Sequence, residues 1–153
     1  MNYRLFHPDD FAQMYAVEEI CFQPPVRFPR RYMRRLVDNP DSITWVAEDQ
    51  GRIAGFSIID FGSDEDGLFA YIETIEVLPE YRGCGIGSQL LARIEGSARD
   101  RGAIAIWLHV ESTNASAIRL YESQQYKCMG RQENFYARSR AAFIYCKELE
   151  ARS

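Results

Sequence analysis

Between residues 72 and 98, a β-branched run, a glycine-rich turn and a helical repeat of apolar residues follow one another. The run stops at Pro79, and the turn contains Arg82 together with Gly83, Gly85 and Gly87. The first turn of a helix has unpaired N–H groups and a partial positive charge, and glycines let an anion approach them closely. This order of strand, turn and helix predicts a site for a phosphate-bearing ligand. The glycines alone would also suit a tight turn without a ligand.

The spacing of the glycines separates several kinds of phosphate site. A P-loop needs a lysine between its last glycine and the following Ser or Thr, whereas Gly87 directly precedes Ser88. A dinucleotide fingerprint needs the spacing G-x-G-x-x-G, which glycines at every second position do not give. The pattern Arg82-x-x-Gly85-x-Gly87 instead resembles the pyrophosphate loop of the GNAT superfamily of acyl-CoA N-acyltransferases. The resemblance continues through residues 114–121, Asn-Ala-Ser-Ala-Ile-Arg-Leu-Tyr.

Length and composition restrict the remaining possibilities. The chain has 153 residues, and we expect a single domain over residues 1–153, as a monomer or a homodimer. No apolar run reaches the roughly twenty residues of a membrane span, and residues 1–11 lack the layout of a signal peptide, so we expect a cytoplasmic protein without a membrane partner. Its four cysteines lack the spacing of a zinc site, so no metal is expected. A net charge of −4 argues against nucleic acid and is compatible with a cationic amine.

Hydrophobic periodicity predicts seven strands and four helices. The strands are predicted at residues 2–6, 43–48, 52–60, 68–77, 104–110, 126–131 and 140–149. The helices are predicted after a cap at Asp9 or Asp10, over residues 30–38, from the glycine turn to Gly102, and from Asn114 to about residue 124. The acidic segment 62–67 is predicted as a loop. Together with the resemblance, this gives an α/β GNAT fold of three layers, with a central mixed sheet of six or seven strands flanked by about four helices.

The resemblance implies that acetyl-CoA binds across the glycine turn as a co-substrate. Backbone groups of one strand would align its pantetheine arm, and these belong to Ile75, Glu76 and Val77. Main-chain N–H groups of the turn would hold its pyrophosphate, and these belong to Arg82, Gly83, Cys84, Gly85, Ile86, Gly87 and Ser88. Asn114 and Tyr121 would lie near the thioester. Tyr121 resembles the tyrosine that many family members place beside the coenzyme sulfur as the general acid; a core tyrosine is the alternative.

Candidates for the general base lie on two predicted strands. Side chains alternate along a strand, so Tyr71 shares a face with Glu73, and His109 lies on a strand that could be its neighbour. Tyr71 and His109 resemble the Tyr/His pair of eukaryotic Met-starting protein N-terminal acetyltransferases, whereas bacterial RimI-like enzymes have glutamate at the position of His109. A lone histidine in an apolar strand also suits a core position. Glu73 and Glu111 are reserve bases acting through water.

The acceptor is predicted from the strength of the base and from two loops. A protein α-amine has a pKa near 8 and a lysine one near 10.4, a difference of about 3 kcal/mol in deprotonation, so a histidine or water relay suits an α-amine. The resemblance implies an acceptor pocket at Pro25 and Val26, where Pro24 replaces the family's phenylalanine, and a peptide-holding hairpin at Phe135 and Tyr136. The alternatives are a small-molecule amine, a lysine side chain, or a module that binds acyl-CoA without turnover.

Two further departures from the family pattern lead to predictions. Cys84 occupies a turn position that is usually basic, so its alkylation is expected to compete with acetyl-CoA. Gln124, Gln125 and Tyr126 replace a common Leu-Gly-Phe after the tyrosine, so the last predicted helix is expected to end in a different way.

Overall fold

The computed structural model describes residues 1–150, and within them a mixed sheet of seven strands lies between two layers of helices. The strands are β1 (Asn2–Leu5), β2 (Ser42–Asp49), β3 (Arg52–Asp64), β4 (Gly67–Val77), β5 (Ala105–Glu111), β6 (Lys127–Ala137) and β7 (Arg140–Glu148). The helices are α1 (Phe11–Cys21), α2 (Arg30–Asp38), α3 (Ile86–Asp100) and α4 (Ala115–Ser123). The predicted three-layer α/β arrangement is confirmed. Among these residues no helix is long and apolar enough to cross a membrane.

The sheet has the strand order β1-β2-β3-β4-β5-β7-β6. Strands β4 and β5 are parallel, as the β-α-β order predicted, and the other neighbours are antiparallel. On one face, α1 and α2 cover a core that includes Phe11, Met14 and Met33, all of them buried. On the other face, α3 covers a core that includes Leu91 and Ile94. The sheet is therefore buried on both sides at its centre, where β4 and β5 meet.

A β-bulge at Glu73 interrupts β4. Two consecutive residues of β3 lie opposite Thr74 and Ile72, which leaves Glu73 as the extra residue. A bulge shifts the alternation of side chains by one position. An unbroken strand would place Ile72 and Ile75 on opposite faces of the sheet. Because of the bulge, both pack in the core on the α3 side. The bulge also turns the end of β4 away from β5.

Strands β4 and β5 separate beyond this bulge. Their pairing covers only Phe69 to Ile72 of β4 and Ala105 to Leu108 of β5, although β5 stays paired with β7 as far as Glu111. Residues 73–77 of β4 thus have no β5 partner on that side. The result is a wedge-shaped opening through the sheet that connects its two faces. An extended ligand can add to an unpaired strand edge by main-chain hydrogen bonds.

Two local predictions are corrected. The acidic segment predicted as a loop continues the β3–β4 hairpin, with Gly62, Ser63 and Asp64 paired to β4 and only residues 65 and 66 in the turn. Asp10 lies at the start of α1 but makes no capping hydrogen bond to it. Its carboxylate instead accepts from the backbone N–H of His7 at 2.7 Å and from the Arg4 guanidinium. Asp10 therefore ties β1 to the short 3-10 turn before α1.

The end of α4 also differs from the prediction. Gln125 has a φ of +74°, the N–H of Tyr126 donates to the carbonyl of Tyr121 at 3.1 Å, and the N–H of Gln125 donates to that of Glu122 at 3.2 Å. This is the Schellman arrangement that a glycine normally adopts after a helix. The helix ends in the same way as one with glycine, but Gln125 bears the strain of a left-handed backbone.

We expect Gln125→Gly to stabilise the chain. Glycine has no Cβ to strain in the left-handed region, so the free energy of unfolding should rise by about 1 kcal/mol. Denaturant unfolding of both proteins would measure the change. Gln124→Gly, one residue earlier with a φ of −102°, is the matched control and should destabilise. An equal effect of the two substitutions would contradict this account.

Candidate active site

The glycine turn presents a row of free backbone donors. Within residues 1–150, no acceptor meets the N–H groups of residues 83–88, and the first main-chain bond of α3 is donated by Gln89 to Gly85. Gly83 and Gly85 have φ values of +80° and +81°, which turn these donors towards one side. The N–H of Arg82 differs from the prediction, because it donates to Pro79 at 3.2 Å. Six consecutive donors at the start of a 15-residue helix form a site for a diphosphate.

The Arg82 side chain folds back onto the end of β4. Its Nε donates to the carbonyl of Val77 at 3.0 Å, and one terminal nitrogen lies 3.6 Å from the sulfur of Cys21. The cation therefore stays beside the turn. The Cys84 thiol is exposed, lies 3.8 Å from the Arg82 carbonyl and does not line the cavity beside the turn. The cysteine that does line this cavity is Cys21, which the sequence analysis did not single out.

Two cavities meet at the opening between β4 and β5. The larger, of about 610 Å³, extends from the glycine turn along the free edge of β4 to α4, and the predicted residues on it are Ile75, Glu76, Val77, Arg82, Gly83, Gly85, Ile86, Gly87, Ser88, Asn114 and Tyr121. The smaller, of about 90 Å³, lies on the α1 and α2 side. Phe22, Val26, Asn114 and Tyr121 line both. One ligand can thus approach from each face of the sheet and meet the other near Tyr121.

Tyr121 lies on α4 where the two cavities meet. Its side chain is buried, and its ring packs against Tyr126 with 5.5 Å between the centroids. Its hydroxyl has no hydrogen bond to any residue of the described chain. Burial raises the pKa of Tyr121, so the phenol keeps its proton at neutral pH. It is therefore available as a donor to a group that develops negative charge in the cavity.

Tyr71 and His109 form the pair that the sequence predicted. The Tyr71 hydroxyl lies 2.7 Å from Nδ1 of His109, which follows directly after the last β5 residue paired with β4. The other ring nitrogen, Nε2, lies 3.3 Å from Oε1 of Gln132. Because that oxygen only accepts, Nε2 carries the proton and Nδ1 accepts from Tyr71. Burial lowers the pKa of His109, which favours the neutral ring.

Glu73 stands at the bulge, beside this pair. Burial, and after it the neighbouring carboxylate of Asp60, raise the pKa of Glu73 to about 7. The Tyr32 hydroxyl from α2 lies 3.4 Å from its Oε1. The second reserve base fits less well, since Glu111 accepts two hydrogen bonds from the Arg140 guanidinium, at 2.5 and 2.9 Å. Glu73 is thus the carboxylate whose charge changes near neutral pH.

Aromatic side chains cover the smaller cavity. Phe135 stacks on His109 with 4.2 Å between centroids and 4° between planes, and Tyr136 lines the cavity beside it. Both belong to the part of β6 where pairing with β7 is interrupted, between Gln132 and Ala137. Val26 lines both cavities, whereas Pro25 lines neither. Three of the four residues predicted for the acceptor therefore lie together.

Sequence analysis missed three residues around Tyr71, His109 and Glu73. Gln132 fixes the tautomer of His109, Asp60 raises the pKa of Glu73, and Tyr32 contacts the Glu73 carboxylate. Asp60 lies opposite Tyr71 in the β3–β4 register, which hairpin counting could have indicated. Gln132 and Tyr32 come from elements whose positions follow only from the folded structure. Within residues 1–150 no group of three His, Cys, Asp or Glu residues is placed to hold a metal.

We expect Gly87→Asp to weaken coenzyme A binding. A Cβ at Gly87 would meet only the Leu120 side chain, at an ordinary 3.5 Å, so the substitution fits the fold. The added carboxylate would repel a diphosphate at the first turn of α3, and the dissociation constant should rise about tenfold or more, a loss of at least about 1.4 kcal/mol. Calorimetric titration would measure it. Gly87→Ala, which keeps the donor and adds no charge, should stay within about threefold; equal losses would place the diphosphate elsewhere.

Comparison with known proteins gives the class of the chain. The sequence model of the acetyltransferase (GNAT) family matches residues 11–126. The [ribosomal protein bS18]-alanine N-acetyltransferase of Haemophilus influenzae is 30% identical over 135 residues, which span 83% of this chain and 82% of that protein. The streptothricin acetyltransferase of Streptomyces lavendulae is 37% identical over 100 residues, 65% of this chain but only 52% of that protein.

Solved structures agree on the fold. Arabidopsis thaliana NAA60 in complex with a bisubstrate analogue superposes with a TM-score of 0.85 at 21% identity, covering 99% of each chain, and NAA60 has also been solved with acetyl-CoA. The chain therefore belongs to the acetyltransferase (GNAT) family. Its class is that of the acetyl-CoA-dependent N-acetyltransferases, which fits the free donors of the glycine turn and the wedge beside β4.

Proposed function

We propose that the chain transfers the acetyl group of acetyl-CoA to the N-terminal α-amine of a protein or peptide, directly within a ternary complex. The observation that carries the proposal is the hydrogen bond of 2.7 Å between Tyr71 and a neutral His109. His109 of this pair lines the small cavity, from which an acceptor would reach Tyr121. Two relatives support the proposal by their names, one acting on an alanine of ribosomal protein bS18 and the other being NAA60.

The strength of the base favours an α-amine over a lysine. A neutral imidazole whose pKa is lowered by burial is a weak base. Near pH 7.4 roughly a tenth to a third of an α-amine is already neutral, whereas a lysine is neutral in about one part in a thousand. Removing the proton of a lysine would cost about 3 kcal/mol more. Neither His109 nor Glu73, whose pKa is about 7, is a base strong enough to offset that cost. The Tyr71–His109 pair therefore suits an α-amine, which loses its proton at a lower cost in free energy than a lysine.

Each step of the proposed acetyl transfer can be assigned to residues of this site. The ammonium group would lose its proton to the Tyr71 hydroxyl, directly or through water, while Tyr71 passes its own proton to Nδ1 of His109. The amine would then attack the thioester carbonyl where the cavities meet. Tyr121 would donate to the departing thiolate, whose ordinary pKa of about 8.5 makes it a modest leaving group. As the tetrahedral intermediate collapses, Tyr121 would regain a proton from the acetylated nitrogen, directly or through water, and His109 would release its proton to solvent. The free donors of residues 83–88 would hold the diphosphate throughout.

A panel of acceptors tests the proposal. Peptides with a free α-amine should release coenzyme A, and the same peptides with a blocked N-terminus and an internal lysine should not. Acetylation at the α-nitrogen, located by fragment mass spectrometry, supports the proposal. Turnover confined to blocked lysine peptides or to small amines overturns it.

A small-molecule amine is the second candidate. It is favoured by the 37% identity with streptothricin acetyltransferase over 100 residues. The acidic pair of Asp60 and Glu73 beside the aromatic wall would also attract a polyamine. Streptothricin and polyamines therefore belong in the same panel. Their kcat/KM should fall at least about tenfold below that of the best peptide if the α-amine of a protein is the acceptor.

The pH dependence of turnover should show the titration of Glu73. Since its pKa lies at about 7, kcat/KM should rise as Glu73 ionises and attracts the acceptor ammonium. In Glu73→Gln this step in the pH profile of kcat/KM should disappear, and only the step at lower pH that belongs to His109 should remain. In Asp60→Asn the step should move to lower pH, because the neighbouring charge that raises the pKa of Glu73 is gone. A step that stays at the same pH in Glu73→Gln would assign it to another group.

A further inference from the structure

Two carboxylates meet in the core beside the site, and neither carboxyl group has a role in the proposed reaction. Glu18 of α1 and Glu76 of β4 are 1% and 2% exposed. Oε2 of Glu18 accepts from the backbone N–H of Phe28 at 3.0 Å, and Oε2 of Glu76 accepts from the Thr74 hydroxyl at 2.8 Å. The second oxygen of each, Oε1, is buried and has no donor among residues 1–150.

Two buried acceptors without donors cannot both be ionised at small cost. The side chains of Glu18 and Glu76 lie within hydrogen-bonding reach of each other, and a proton on Glu76 turns one unpartnered acceptor into a donor for the other. Burial first, and then the Glu18 carboxylate, raise the pKa of Glu76 well above its usual range. One shared proton thus satisfies both orphan oxygens.

Few other charged groups reach this pair. From α1, Cys21 is the remaining titratable neighbour, and from β4 the Thr74 hydroxyl is the one polar contact. Arg82, from the glycine turn, reaches the Cys21 sulfur but makes no ion pair with either carboxylate in the described chain. The proton therefore stays with the pair instead of being replaced by a cation.

We propose that Glu18 and Glu76 share a proton and, as positioning residues, clamp the loop of residues 22–29 to β4 as a wall of the acceptor cavity. The proposal rests on the proposed function, since that loop contributes Phe22, Val26 and Phe28 to the cavity. Phe28 is held on both sides: its N–H donates to Glu18, and its carbonyl accepts from the Tyr15 hydroxyl at 2.7 Å.

The clamp lies behind the strand edge that faces the coenzyme. Losing it should loosen the acceptor wall while residues 83–88 keep their free donors. Without a proton on Glu76, Glu18 would face a second buried negative charge and would leave Phe28 for water. The acceptor KM should therefore respond more than the affinity for acetyl-CoA.

Two variants of Glu76 test this. Glu76→Leu fills a similar volume but cannot donate, and it should raise the acceptor KM about fivefold or more, a larger factor than any change in the dissociation constant of acetyl-CoA. Glu76→Gln can donate its amide N–H to Glu18 and should restore the acceptor KM. Equal KM values in the two variants, or a parallel loss of both substrates in Glu76→Leu, would overturn the proposal.

Two measurements need no acceptor and so separate this proposal from the α-amine assignment. Hydrogen exchange of residues 22–29 should be faster in Glu76→Leu than in wild type, and near wild type in Glu76→Gln. Infrared spectra at neutral pH should show one protonated carboxyl that Glu76→Gln lacks. As pH rises through the raised pKa of Glu76, exchange in wild type should accelerate relative to Glu76→Gln. Exchange equal in all three proteins, or the absence of a protonated carboxyl band that disappears in Glu76→Gln, would refute the clamp even if peptides prove to be the acceptor.

Discussion

Tyr121→Phe is expected to lower kcat by about a hundredfold or more while changing the dissociation constant of acetyl-CoA by no more than about twofold. The hydroxyl lies where the two cavities meet, is protonated at neutral pH and has no hydrogen bond to the described chain. Its removal therefore costs no bond in the free protein. The loss should fall on the step in which the thiolate leaves, which steady-state and pre-steady-state release of coenzyme A would measure.

The neighbouring tyrosine provides the matched control for that prediction. Tyr126 is buried against Tyr121, but its hydroxyl donates to Glu95 at 2.8 Å, on the far side from the cavities. Tyr126→Phe should lower stability by about 1 kcal/mol and leave kcat nearly unchanged. If Tyr121→Phe lost only coenzyme affinity, or if both variants lost kcat alike, Tyr121 would be a packing residue and another group would protonate the thiolate.

Local patterns predicted the parts of the site that depend on one element or on two neighbouring strands. The glycine turn could be recognised because strand, Arg82, glycines and helix are contiguous. The strands of Tyr71 and His109 could be placed side by side because a β-α-β unit pairs its strands in parallel, and the family resemblance implied that the two residues form a pair. Asn114 could be predicted as the cap of α4, and its Oδ1 does accept from the N–H of Ala117 at 3.2 Å.

Features that depend on distant packing could not be predicted in this way. Nothing in the β4 sequence marks Glu73 as a bulge, because the bulge follows from the register that β3 imposes. Gln132 reaches His109 only because β6 folds over β5 across β7. Gln125 adopts a left-handed backbone because burial of Tyr126 requires the chain to turn there. Glutamine is strained in this conformation, so its residue type alone would not have predicted it. In each case tertiary contacts overrode a local preference.

The second large effect is expected at Tyr71 and His109, the proposed proton path. Tyr71→Phe and His109→Gln should each lower kcat/KM for the acceptor by about a hundredfold, because each removes one half of the proton path. Their effects should not multiply. If Tyr71 passes its proton to Nδ1 of His109, the double variant should be about as active as either single variant, since one broken link already stops the relay. Measuring kcat/KM for wild type, the two single variants and the double variant at saturating acetyl-CoA would complete this double-mutant cycle.

Phe135→Leu is the control for the loss of stacking that accompanies any change at His109. It removes the ring that lies 4.2 Å from the imidazole but leaves the hydrogen bond between Tyr71 and His109 in place. Its effect should fall on the acceptor KM and not on kcat. Losses in the double variant that multiply to about ten thousandfold would mean that Tyr71 and His109 act independently. In that event Tyr71 would orient the acceptor, and the base would be His109 or the carboxylate of Glu73 acting through water.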